Sequence, residues 1–166
     1  MSEALYYKEH DNKLYLRAKG HVTAALCADL RERVFSRLDA EPSITAMYVD
    51  LSECEYMDST FMGLLVGFNK RLIKAGKDRL ILVNPTLVAK DLISGLGLNS
   101  LVTILYEELS FPEGMEDVYK TRSAGVELLL KAHENLMEIS EDNRKKFATL
   151  HAVLENQTKK KLIANS

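Results

Sequence analysis

The chain has 166 residues, 46% of them hydrophobic and 28% charged, which is the balance of a globular protein with one ordinary domain plus an appendage. A formal net charge of −2 carries no electrostatic footprint for nucleic acid or an acidic membrane. Cys27 and Cys54 stand in unrelated contexts, with no CxxC pair and no Cys/His cluster, which argues against a metal site and fits a reduced, cytoplasmic chain.

The opening Met-Ser-Glu-Ala-Leu-Tyr-Tyr has no basic start ahead of an apolar run, so no signal peptide is expected. Nowhere do eighteen apolar residues follow one another, so no membrane insertion is expected either. Leu5 to Glu9 and Lys13 to Gly20 read as two strands. In the second, Leu14, Leu16 and Ala18 alternate with polar neighbours. His10-Asp11-Asn12 between them is turn chemistry, which makes a hairpin.

From Ala24 to Leu38 the period changes to that of a helix, with Leu26, Leu30, Val34 and Leu38 on one face and Thr23 as the predicted N-cap. Ile44 to Leu51 is apolar on both faces until Asp50, the pattern of a central, helix-covered strand. Arg79 to Asn84 and Leu101 to Tyr106 read as two more strands. Helices over Ser59 to Ala75 and Thr86 to Leu96 connect the three, stopped by Gly76 and Gly97. Strand, helix, strand, helix, strand implies right-handed crossovers and parallel pairing. The predicted fold class is therefore α/β: a mixed sheet made of an N-terminal hairpin plus a parallel βαβαβ unit, packed with helices, over residues 1–110.

Residues 111–166 read as a C-terminal helical extension. From Glu113 onward, Met115, Val118, Tyr119, Val126, Leu129, Leu130, His133 and Met137 keep one helical stripe. Ser140 then caps a second run, Glu141 to Leu162, striped by Phe147, Leu150 and Leu154. The expected arrangement is an antiparallel helix pair whose stripes bury against each other, the domain, or a second copy in a homodimer. His133 and His151 fall on these helices and read as interface or surface residues rather than phosphotransfer sites.

No phosphate-binding glycine loop and no GxSxG elbow occurs, so neither a cofactor nor a catalytic residue is expected. The informative segment is Tyr48 to Lys70. A buried strand ends at Asp50-Leu51, a short loop follows, and Asp58-Ser59-Thr60 opens the next helix. Ser59 thus lies at a helix N-terminus at the carboxyl end of a central strand, where function collects in open α/β sheets. A phosphate there adds about −1.5 to −2 charges and three acceptor oxygens. The helix end tolerates it, while a neutral docking patch becomes a hydrated dianion. The same Asp-Ser-Thr is also an ordinary capping sequence.

The run Val49-Asp50-Leu51-Ser52, Tyr56-Met57-Asp58-Ser59-Thr60 and Gly63-Leu64, with Leu80 to Pro85 and Ser94 to Leu98 later, resembles the STAS domain of bacterial anti-sigma factor antagonists over residues 5–108. The resemblance implies a partner switch without catalysis. The unmodified protein binds a serine protein kinase that is also an anti-sigma factor, the kinase phosphorylates Ser59, and a phosphatase resets it. Thr60 is the second-choice acceptor. Asp58, Ser59, Thr60, Phe61, Met62 and Asp50 form the implied partner-binding set. Phe61 departs from the family, which usually has Gly there. The alternative is a scaffold STAS subunit of a stressosome-like or transport ATPase-associated complex, in which the serine is only a cap.

Overall fold

The structure is a computed structural model and describes residues 3–118 and 123–164. A six-stranded mixed sheet forms its centre, in the order β5-β4-β3-β2-β1-β6. Strands β1 (Ala4–His10) and β2 (Lys13–Val22) pair antiparallel across a two-residue turn. Asp11 and Asn12 hold φ values of 51° and 60° in that turn, a backbone that Asp and Asn tolerate better than other side chains.

β3 (Ala46–Met57), β4 (Ile81–Val83) and β5 (Thr103–Leu105) then add in parallel register beside β2. Helices α1 (Cys27–Leu38), α2 (Ser59–Lys74) and α3 (Leu87–Gly95) make the connections. The mixed α/β fold agrees with the sequence reading. Gly76 and Gly97 close α2 and α3 in the left-handed conformation, as expected of glycine stops.

One apolar core joins sheet and helices, from Leu5, Leu14 and Leu16 through Met47, Val49 and Leu51 to Phe61, Leu65 and Phe68. Asn69 is a polar member of the buried set. Its Oδ1 accepts from Leu80 N at 2.9 Å and its Nδ2 donates to Leu101 O at 3.3 Å, which pins α2 to the two parallel strands beyond it.

Three local expectations are corrected. Thr23 does not cap a helix: its hydroxyl donates to Glu3 instead, and one 3₁₀ turn (Ala24–Leu26) precedes α1. The loop expected after Leu51 is strand, because β3 runs on to Met57. Two register shifts against β2, each placing one extra residue on β3, break the alternation, so Leu51, Cys54 and Met57 are buried at every third position. The third concerns Glu113 onward. Glu116–Asp117 forms β6, pairing antiparallel with β1, and the helix begins only at Val126. Tyr119 of the expected stripe lies outside the described residues.

The helix pair itself is present. α4 (Val126–Met137) and α5 (Glu141–Ala164) run antiparallel, and Ser140 Oγ caps α5 by accepting from Asn143 N at 3.1 Å. His133 packs edge-on against Phe147 with ring centroids 5.1 Å apart. Asn143 Nδ2 donates at 2.8 Å to both Leu96 O and Leu136 O, joining α5 to the turn after α3 and to the end of α4. Among the described residues, no helix is long and apolar enough to cross a membrane.

Candidate functional site

Only Asp58 separates β3 from α2, and its carboxylate explains the geometry of the handover. Oδ1 accepts from Phe61 N at 2.9 Å, which caps α2, and Oδ2 accepts from Ala24 N at 2.8 Å, which holds the segment leading into α1. Asp58 N also donates to Val22 O at 3.0 Å. Asp58 is therefore a half-buried structural anchor between two helix starts, with both carboxylate oxygens already committed.

Ser59 is the first residue of α2 and is partly buried. Its Oγ lies 2.8 Å from Nε2 of His133, on α4. The proton in that contact can be placed. Nδ1 of His133 is 2.7 Å from Leu129 O, and a carbonyl oxygen only accepts. In the neutral ring Nδ1 therefore carries the hydrogen, Nε2 is the acceptor, and the Ser59 hydroxyl donates. His133 is only 2% exposed, so this hydroxyl supplies a donor to a nitrogen that water hardly reaches.

Beyond Ser59, the expected partner-binding set divides. Thr60 is 4% exposed, Phe61 fully buried and Met62 3% exposed. These three, expected as docking residues, are packed in the interior here, because α2 is enclosed on every side from Thr60 to Asn69. Thr60 is accordingly a poor second acceptor. Phe61, at the position where a glycine was expected, fills the core instead of crowding a surface. Asp50 belongs elsewhere: its Oδ2 accepts from Arg17 Nε at 3.0 Å, its Oδ1 from Ser52 N at 2.9 Å, and Arg17 lies over the Phe111 ring. Asp50 and Ser59 share no partner.

What encloses α2 is α4. The two main chains touch at Gly63, where an added Cβ would stand 2.2 Å from Ala132 O. No residue with a side chain fits there without moving α4. Asn135 Nδ2 donates to Gly63 O at 3.1 Å and also fills the space above Gly67, while Lys70 Nζ donates to Glu138 Oε2 at 2.6 Å. The sequence reading missed Asn135 and the crossing. Its visible trace was Gly63 and Gly67, four residues apart on one side of an otherwise apolar helix, a spacing that lets two helices approach closely.

A cleft of about 850 Å³ lies further along the same seam, lined in part by Arg31, Phe35, Gly67, Lys70, Leu128 and Lys131, and does not include Ser59. Among the described residues, no group of three His, Cys, Asp or Glu side chains could hold a metal ion.

Residues 5–103 match the family model described as "Mlab, STAS domain". Among solved structures, the anti-sigma factor antagonist SpoIIAA in its unphosphorylated form is similar at 19% identity, with a TM-score of 0.56 over 63% of this chain and 90% of that one. The Bacillus cell fate determinant SpoIIAA in its phosphorylated form matches at 19% identity and a TM-score of 0.52, over 63% and 93% of the two chains. An anti-sigma factor antagonist from Mycobacterium paratuberculosis matches at 19% identity and a TM-score of 0.53, over 65% and 88%. At these identities the likeness shows the fold. No curated protein matches the chain.

Proposed function

The chain belongs to the STAS domain family, and from that premise we propose that it acts in the cytoplasm as an anti-sigma factor antagonist, a partner switch set by phosphorylation of Ser59. The observation that carries the reading is the position of one hydroxyl. Ser59 follows the capping Asp58 at the first turn of α2, partly exposed, beyond the carboxyl end of a central strand. SpoIIAA, similar in fold, has been solved with and without phosphate.

The partner is a serine kinase that doubles as the anti-sigma factor. It transfers the γ-phosphoryl group of ATP to Ser59: the Oγ–P bond forms, the bond to the ADP oxygen breaks, and the hydroxyl proton passes to the kinase. The new dianion stands beside the Asp58 carboxylate and repels the acidic or apolar surface that docked before. A phosphatase hydrolyses the phosphoserine and restores the neutral patch. No chemistry is asked of the chain itself.

Intact mass tests the switch. After incubation with a candidate anti-sigma kinase and ATP, wild type should gain one phosphate and Ser59→Ala none. A phosphate retained by Ser59→Ala moves the site elsewhere, and an unmodified wild type with several such kinases ends the proposal.

A scaffold reading is favoured by one observation, the commitment of the Ser59 hydroxyl to His133. On that reading the serine fastens α4 and takes no phosphate, and the chain co-purifies with a fixed complex. Among the described residues of the extension, α5 leaves Leu150, Val153, Leu162 and Ile163 exposed, a surface that fits the second copy that the sequence suggested.

A further inference from the structure

We infer that the α4–α5 hairpin is a displaceable occupant of the outer face of α2, and that a partner docking on α2 takes that face only by lifting the hairpin off. The identity of the competitor rests on the partner-switch reading; the seat rests on geometry alone.

Three features make the seat a built one. Gly63 leaves room for the Ala132 carbonyl at main-chain contact distance. Asn135 reaches across to Gly63 O, and Lys70 meets Glu138 at the far end. Ser59 and His133 close the near end at 2.8 Å. The face therefore fits a helix carrying a small residue at the crossing and an amide three positions later, and α4 is such a helix.

Three features make the seat reversible. The seam between α2 and α4 mixes apolar contacts, Leu128 and Leu136 among them, with polar ones at Ser59, Gly63 and Lys70, and these polar groups find water when the helices part. A cleft of about 850 Å³ already runs between α1, α2 and α4, so part of the seam is open before the hairpin moves. The family match ends at residue 103, which places the hairpin outside the unit that defines the fold.

Ser59 connects the hairpin to the switch. A phosphoserine has no hydroxyl proton to give Nε2 of His133, and a hydrogen-bond separation leaves no room for the added phosphoryl group. Modification therefore cannot be accommodated between Oγ and Nε2 at their present separation, and the near end of the seat has to open.

The probe is a fluorescein-labelled peptide of residues 125–164, titrated against the full chain by anisotropy. Wild type, with its own hairpin seated, should exclude it. The double variant His133→Ala/Asn135→Ala, whose own hairpin is weakened while its α2 face is intact, should bind it on the order of tenfold more tightly or better. Adding Gly63→Leu to the double variant should abolish binding. Equal affinity for wild type and double variant, or binding indifferent to Gly63→Leu, overturns the inference.

Hydrogen exchange on the same chains supplies a second reading. In the double variant the α4 and α5 amides should exchange at least about tenfold faster while those of β2 and β3 keep their protection. Loss of protection in sheet and hairpin together makes the hairpin an integral part of the fold and also overturns the inference. A chain that exchanges its hairpin yet is never phosphorylated keeps this inference and loses the switch. A chain phosphorylated at Ser59 whose hairpin never exchanges does the opposite.

Discussion

The sheet domain and the helical hairpin are held together by different means. In the domain, strands distant in sequence pair along their length and supply most of one continuous apolar core, which reaches on to Leu128, Leu136 and Phe147 of the hairpin. In the hairpin, α4 buries Leu128, Ala132, His133, Asn135 and Leu136 about its close crossing with α2, while α5 buries only Asn143, Phe147 and Leu154 along 24 residues. The first arrangement is cooperative, because removing one element leaves others unpaired. The second lacks strand pairing and rests on one face of α4 and a few residues of α5. Ser59 sits where the two meet, so a change at one hydroxyl is felt first by the weaker partner.

The sharpest test of this contrast is Phe61→Ala. Phe61 is fully buried, and large-to-small changes at such positions cost roughly 3–5 kcal/mol, a large share of a typical domain's stability. Its thermal transition should fall steeply, with sheet and helix signals lost together. A mild effect would mean that the core around α2 is loose and that the contrast with the hairpin is overdrawn.

Asp58→Ala should come next. The change removes the cap of α2 and leaves Ala24 N without its acceptor, so about 1–2 kcal/mol for the cap and a further ~1 kcal/mol for the second bond are expected by urea unfolding. Asp58→Asn, which keeps one acceptor oxygen, should recover part of the loss. Asn143→Ala should act mainly on the hairpin and on its junction with the turn after α3. Both carbonyls served by its Nδ2 lose a donor, at about 1–2 kcal/mol, and the loss should appear as faster amide exchange in α4 and α5 with the urea midpoint of the sheet unmoved.

These differences also explain what could be read in advance. The order of strands and helices was legible because Leu14, Leu16 and Ala18 alternate, α2 ends at a left-handed glycine, and Thr86 caps α3. The continuation of β3 to Met57 was not, because two bulges replace alternation by a spacing of three. The site was half legible. The approach of Ser59 to a helix start follows from local chemistry, and Asp58 as cap follows from its type. The partner of Ser59 does not, since His133 is 74 positions away and only the folded crossing at Gly63 brings the two together. Phe61 misled for a related reason: next to a functional serine a large apolar side chain reads as a docking group, whereas the turn of the helix aims it inward.

The smallest expected effect concerns the two thiols, and it isolates the domain from the hairpin. Cys27 and Cys54 are both free and buried in the sheet domain. Burial raises the pKa of both thiols, and that of Cys54 is pushed up to about 11. At neutral pH both stay protonated, so no effect on stability is expected there, and both should react slowly with a disulfide reagent. The sign in alkali follows from the unfolded chain, whose thiols ionise near the ordinary value while the folded ones still hold their protons. The stabilisation is thus complete below the ordinary thiol range and is lost as pH rises through it. The urea midpoint should fall between pH 7 and pH 10, and by less in Cys54→Ala than in wild type. Opening the hairpin with His133→Ala/Asn135→Ala should leave thiol reactivity at neutral pH unchanged. Faster labelling in that variant would mean that the domain loosens with its appendage, and that the two regions do not move apart as separate units.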